Sequence, residues 1–140
     1  MANYKEIIIT WKSGSNTAPQ DEGKLVVYQI YCDSHIYGRN VLAYIGRTKR
    51  TAEERFAEHE DSFFKYAQNL SYSVGYIDSE NIDDLEIAEV ILIANHKPFY
   101  NQKNIHDMPD KAKSEKVIVI NNGEHGMLKS CCTNFWWAKN

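Results

Sequence analysis

The sequence predicts an α+β fold, a small antiparallel sheet with helices packed against it, and three observations carry that expectation. Two runs rich in β-branched and aromatic residues, KLVVYQIYC (24–32) and VLAYIG (41–46), flank a polar stretch holding Gly38 and Asn40, as a hairpin requires. A capping box, Thr51-x-x-Glu54, opens a segment in which Ala52, Phe56, Phe63 and Ala67 recur near helical spacing. A third run, Ile82 to His96, is apolar over helix length, with Asp83 and Asp84 where the helix dipole favours them and Pro98 as its stop.

Taken in chain order, KEIIITWK (5–12) reads as a strand and SGSNTAPQDEG (13–23) as a loop punctuated by Gly14, Pro19 and Gly23. The hairpin follows and places Tyr28 and Tyr44 on paired strands. In the helix after it, Arg55 and His59 stand four residues apart and so share a face. LSYSVGYI (70–77) is a third strand of the expected sheet. Beyond Asn101 the chain turns polar, with Pro109 and several lysines. It then carries a strand-like KVIVI (116–120) and an aromatic tail, FWWAK. The N-terminal and late strands are candidates to pair with each other. The expected organisation is an extension over 1–23, a central domain over 24–105 and a C-terminal extension over 106–140 that packs or oligomerises.

Length and composition fit one ordinary globular domain: 140 residues, 43% hydrophobic and 25% charged. No apolar run approaches the roughly 20 residues of a membrane helix. The N-terminus lacks the basic and apolar regions of a secretion signal. Three cysteines, two of them adjacent at Cys131 and Cys132, make a poor disulfide framework and point to the cytoplasm. A zinc site from Cys131, Cys132 and His125 lacks the usual ligand spacing and is set aside in favour of buried or free thiols. The net charge of −3 and pI near 5.9 argue against a nonspecific nucleic-acid binder. The distribution is more permissive. From His35 to Thr51 the bases Arg39, Arg47, Lys49 and Arg50 occur with no acid among them.

Glu89 is the most informative single residue. It lies in IAEVILIA, a helix apolar nearly all round and therefore buried. A buried carboxylate costs several kcal/mol, in rough terms, unless it is paired or binds a metal. Alone, a partner arginine or lysine is the commoner answer.

At this point the residues resemble a family. VVYQI (26–30) followed by YIGRT (44–48) is similar to the paired motifs of the GIY-YIG nucleases. The order continues through Arg55, His59, Glu89 and, twelve residues on, the Asn101 of KPFYN. The resemblance covers about residues 24–101. Val26 and Val27 replace the glycine and isoleucine of the first motif, and both suit a central strand. The interval of 16 residues between the tyrosines implies an enlarged turn at about 33–40. That turn, with His35, Tyr37 and Arg39, either touches substrate or is an ordinary solvated loop.

The resemblance implies the GIY-YIG nuclease fold, an α/β sandwich in which a small central antiparallel sheet is flanked by helices. It also implies an endonuclease hydrolysing phosphodiester bonds in DNA, with one Mg²⁺ or Mn²⁺ per active site held by Glu89. The implied catalytic set is Tyr28, Tyr44, Arg55, His59 and Glu89. Arg47, Arg55 and Lys49 would contact phosphate, and Gly46 and Asn101 would support the site. The chemistry is coherent without the name. Mg²⁺ is usually held by one or two carboxylates and completed by water and phosphate. Arginine suits the non-bridging phosphate oxygens. A tyrosine becomes a general base only when nearby positive charge lowers its pKa. Tyr28 is the favoured base, with Tyr44 orienting water or phosphate and His59 assisting. Two alternatives stand beside this reading: a nuclease acting on RNA, and a catalytically silent nucleic-acid-binding or assembly domain. The tail residues Trp136 and Trp137 read as core or as a contact in a homo-oligomer. His96 reads as a cation at a helix C-terminus, and Lys111, Lys113 and Lys116 as a solvated segment.

Overall fold

A computed structural model describes residues 4–13, 25–34, 36–48, 68–101, 105 and 108–138. They form β1 (Tyr4–Ser13), β2 (Val26–Ser34), β3 (Gly38–Thr48), β4 (Ser71–Ile77), the helix α1 (Ile82–His96), a 3-10 turn (Asp110–Lys113), β5 (Lys116–Gly123) and β6 (Cys131–Thr133). All six strands belong to one sheet, in the order β3-β2-β4-β1-β5-β6.

This corrects the expected fold class. The described residues are mostly β, a curled mixed sheet resembling half a barrel, rather than an α/β sandwich with helices flanking a small antiparallel sheet. The GIY-YIG nuclease fold expected from the motifs is overturned with it. The cause is the two ends of the chain. β1 pairs antiparallel with β4 and parallel with β5, so Ile7 lies opposite Val119 and Ile9 opposite Ile77. The expected pairing of the N-terminal and late strands is present, and it doubles the sheet. Strands from the N-terminal, central and C-terminal segments thus share one hydrogen-bonded surface. The helix expected from Thr51, with Arg55 and His59, lies outside the described residues, as does Lys49.

The sheet curls because α1 needs covering on several sides. Leu85, Ile87, Ala88 and Val90 to Ala94 are all buried, so apart from the acidic line Asp83, Glu86 and Glu89 the helix is covered nearly all round. α1 contacts β3 at one edge of the sheet and β6 at the other. Asn81 caps its start by accepting the Asp83 N–H at 2.9 Å. Lys97, with φ 48°, ends it in the left-handed conformation as its N–H returns to Ile93 O at 2.7 Å.

Buried amides tie distant segments together. Trp11 Nε1 donates to Asn121 Oδ1 at 2.9 Å. Asn134, fully buried, accepts the Val117 N–H at 2.7 Å and donates to Ala112 O and Glu115 O at 2.7 and 2.8 Å. An edge strand needs its outer backbone groups satisfied. Tyr100 N–H meets Ala43 O at 2.8 Å, and the Asn101 amide bonds both the N–H and the C=O of Ile45 at 3.0 Å. The segment after α1 thereby covers part of β3.

Candidate functional site

Alternation along β3 divides the candidate residues between the two faces of the sheet. Ile45 faces the core that holds α1, whereas Tyr44 packs with Tyr28 in a second cluster on the opposite side. Arg47, two residues beyond Ile45, follows it to the helix face. Its Nη1 donates to Glu89 Oε1 at 2.9 Å and its Nη2 to Glu86 Oε1 at 3.3 Å. Lys111 completes the cluster, donating to Asp83 Oδ1 and Glu86 Oε2, each at 2.8 Å. The Lys111 ammonium holds the Asp83 and Glu86 carboxyls below the usual carboxylate range. A cavity of about 180 Å³ opens here, lined by Arg47, Glu86 and Lys111 with apolar walls from α1 and the 3-10 turn.

Asp83, Glu86 and Glu89 recur at three-residue intervals and so stripe one side of α1. That spacing is written in the sequence, yet only Glu89 stands out there. Glu86 and Lys111 are additions made by the tertiary structure, because Lys111 arrives from a segment that reads as solvated. Glu89 has the bland partner expected of a buried carboxylate, an arginine, and its side chain is 12% exposed.

The tyrosine pair is built differently. Tyr28 is fully buried in the centre of β2, and its cross-strand partner is Gly46. A methyl group on Gly46 would stand 2.5 Å from Tyr28 Cζ and 2.9 Å from Cε2, so the ring lies where a side chain would otherwise be. Tyr44 stacks beside it, with ring centroids 6.2 Å apart and an interplanar angle of 29°. The described residues therefore join Tyr28 to Tyr44 and Arg47 to Glu89, on opposite faces of the edge strand.

His96 differs from its expected role as a cation. Its Nε2 accepts the Lys129 N–H at 2.9 Å, which a protonated ring cannot do, and its Nδ1 donates to Leu92 O at 2.8 Å. Burial holds its pKa below the usual 6.5. The unfolded chain therefore takes the proton first, and this contribution to stability, complete above pH 6.5, is lost as pH falls through the folded value. The urea midpoint should drop between about pH 7.5 and about pH 5.5, and less so in His96→Gln. Equal drops in both proteins would remove His96 from the account.

Cys132 Sγ lies 3.9 Å from the same imidazole, and burial pushes this thiol up to about 11. Cys32 is also buried, whereas Cys131 is exposed. Ellman's reagent should consume the Cys131 thiol rapidly and reach the other two only on unfolding. Uniform rates would contradict this burial pattern. Among the described residues no group of three or more His, Cys, Asp or Glu side chains is placed to hold a metal ion. Nor is any described helix long and apolar enough to cross a membrane.

No known protein family matches the chain, and neither does any curated protein or any solved structure.

Proposed function

We propose that this protein is a metal-dependent endonuclease that hydrolyses phosphodiester bonds in DNA, with GIY-YIG-type chemistry at the outer end of β3. The observation that carries the reading is the arrangement about Gly46 and Arg47. On one side the stacked Tyr28 and Tyr44 meet at a glycine, and on the other Arg47 joins a largely buried Glu89. β3 is the edge strand of the described sheet, and its end from Gly46 to Thr48 lies beyond the stretch, Ala43 to Ile45, that the chain after α1 bonds, so a phosphate would approach along this edge.

The donor set suits one hard cation such as Mg²⁺ or Mn²⁺. Glu86 and Glu89, three residues apart on α1, supply two carboxylates to the same point, and the ion would have to take the place of the Arg47 guanidinium on Glu89. Glu89 would hold the ion, which when bound supplies charge neutralisation to the phosphate. Arg47 would then hold a non-bridging oxygen, with Lys49 and Arg55 as the further phosphate contacts. Tyr44, half-buried against the fully buried Tyr28, would take the proton of the attacking water, with His59 assisting. Gly46 and Asn101 fix the strand that carries these groups.

The free thiols suit a reducing compartment, and we read the location as cytoplasmic. Trp136, 89% exposed, is the natural contact for a homo-oligomer, whose two active sites could cut both strands without a second encounter.

A second reading rests on the same ion pair. Glu89 already balanced by Arg47 suits a structural charge pair in a catalytically silent nucleic-acid-binding or assembly domain, and the acidic pI near 5.9 agrees with it. The separating experiment is incubation of supercoiled plasmid with protein and Mg²⁺, beside Glu89→Gln and an EDTA control. Nicking lost in both controls supports the nuclease. Nicking undiminished in Glu89→Gln sinks the assigned centre. Absence of cleavage on both DNA and RNA leaves the silent domain.

A further inference from the structure

The turn between β2 and β3 holds two large apolar side chains in water: Ile36 is 83% exposed and Tyr37 64%. It is braced rather than slack. Ser34 Oγ accepts the N–H groups of Ile36 and Tyr37 at 3.2 and 3.1 Å. Asp33 uses one oxygen for the Asn40 N–H at 2.9 Å and the other for the Asn69 amide at 2.6 Å. Scattered exposed hydrophobics are ordinary, but Tyr37 belongs to a row. The Tyr37 ring lies 5.8 Å from Phe99, and Phe99 lies 4.9 Å from the exposed Tyr100. Phe99 packs on the same cluster as Tyr44 and Tyr28, so the row runs from the tyrosine pair out to the turn.

Charge indicates what this row faces. Arg39 is exposed at the same turn, in the stretch from 35 to 51 that contains no acid. The nearest acid in the chain, Asp33, feels the Arg39 charge, but its two oxygens are bonded to Asn40 and Asn69. Aromatic rings beside a cation match the two needs of a nucleic-acid strand, a face for the base and a charge for the phosphate. Only an unpaired base offers its face, because bases in a duplex are stacked on one another.

We infer that Tyr37, with Phe99 and Tyr100 beneath it and Arg39 at its side, is a stacking platform for an unpaired base of a DNA strand. This rests on the nuclease reading and assigns that site its substrate class: DNA with a single-stranded or distorted segment, its base held at the turn and its backbone led toward Tyr44.

The test is fluorescence anisotropy of a labelled oligothymidine of roughly 12 nucleotides with the full chain in EDTA, where cutting is not required for a signal. Stacking is worth roughly 5- to 150-fold in affinity per base. Tyr37→Ala should weaken single-strand binding at least about fivefold, Tyr37→Trp should hold it within about twofold, and duplex binding should be unchanged in both. Unchanged single-strand affinity in Tyr37→Ala overturns the platform, as does an equal loss on the duplex. No measurable binding by the wild type overturns it too, and so does a dimer in sedimentation that Tyr37→Ala abolishes, which would assign the row to a second copy. The platform and the catalytic centre fail separately: Tyr37-dependent binding by a protein that never cuts plasmid leaves the platform standing and removes the nuclease.

Discussion

Glu89→Gln is expected to lower Mg²⁺-dependent nicking of supercoiled plasmid by roughly 100-fold or more while leaving the urea midpoint near the wild-type value. The amide keeps the shape of the side chain and an oxygen to accept the Arg47 N–H, so the link between β3 and α1 survives. What it loses is the negative charge. Arg47 retains Glu86, and its side chain is 36% exposed, so water compensates much of the change. Arg47→Ala is the informative contrast. It removes the guanidinium from a carboxylate whose side chain is only 12% exposed, so its urea midpoint should fall further than that of Glu89→Gln. If the two variants lost stability alike and the plasmid were still cut, the pair would be only a structural bridge.

Gly46→Ala carries the largest expected loss of stability. Its methyl group would stand 2.5 Å from Cζ of a fully buried tyrosine, far inside van der Waals contact. The far end of that ring has little space, because Tyr28 sits mid-strand between β3 and β4. Overpacking of this kind costs about 1–3 kcal/mol, and the upper end is expected where the ring cannot swing aside. A double-mutant cycle measures the cause. In a Tyr28→Ala background the methyl meets no ring, so the cost of Gly46→Ala should shrink by at least about 1 kcal/mol in urea unfolding. Additive costs would mean that backbone preference, not the ring, selects glycine here. Displacement of the Tyr28 ring in Gly46→Ala, and its removal in Tyr28→Ala, should each reduce nicking, since that ring belongs to the proposed centre.

The site was legible in parts, for reasons that differ by residue. Tyr28 and Tyr44 stand out because hairpin strands announce themselves through local composition, and their closeness follows from the pairing. Glu89 stands out because a charge in an apolar helix conflicts with its surroundings. The partner that resolves the conflict was not legible: Arg47 lies 42 residues away, and only the register of β3 against α1 selects it. Lys111 was invisible as part of the cluster, since nothing local distinguishes it from Lys113 or Lys116. His96 was misjudged because proximity to a helix C-terminus favours a cation, while the chain's return at Lys129 buries the ring and requires its Nε2, unprotonated, to accept a hydrogen bond.

By itself the sequence determined the elements: β-branched runs that become strands, and a nearly all-round apolar helix with Asp83 and Asp84 in its first turn and Pro98 as its stop. It also determined that Glu89 needs a partner of opposite charge. Only the tertiary structure decided the fold class. The parallel pairing of β1 with β5 joins segments more than a hundred residues apart, and that closure is stabilised by burial that no local window contains. Around α1 it turns what would have been a small antiparallel sheet into a curled mixed one. The same closure decided which face each candidate residue occupies, because one strand's register sends Tyr44 and Arg47 to opposite sides.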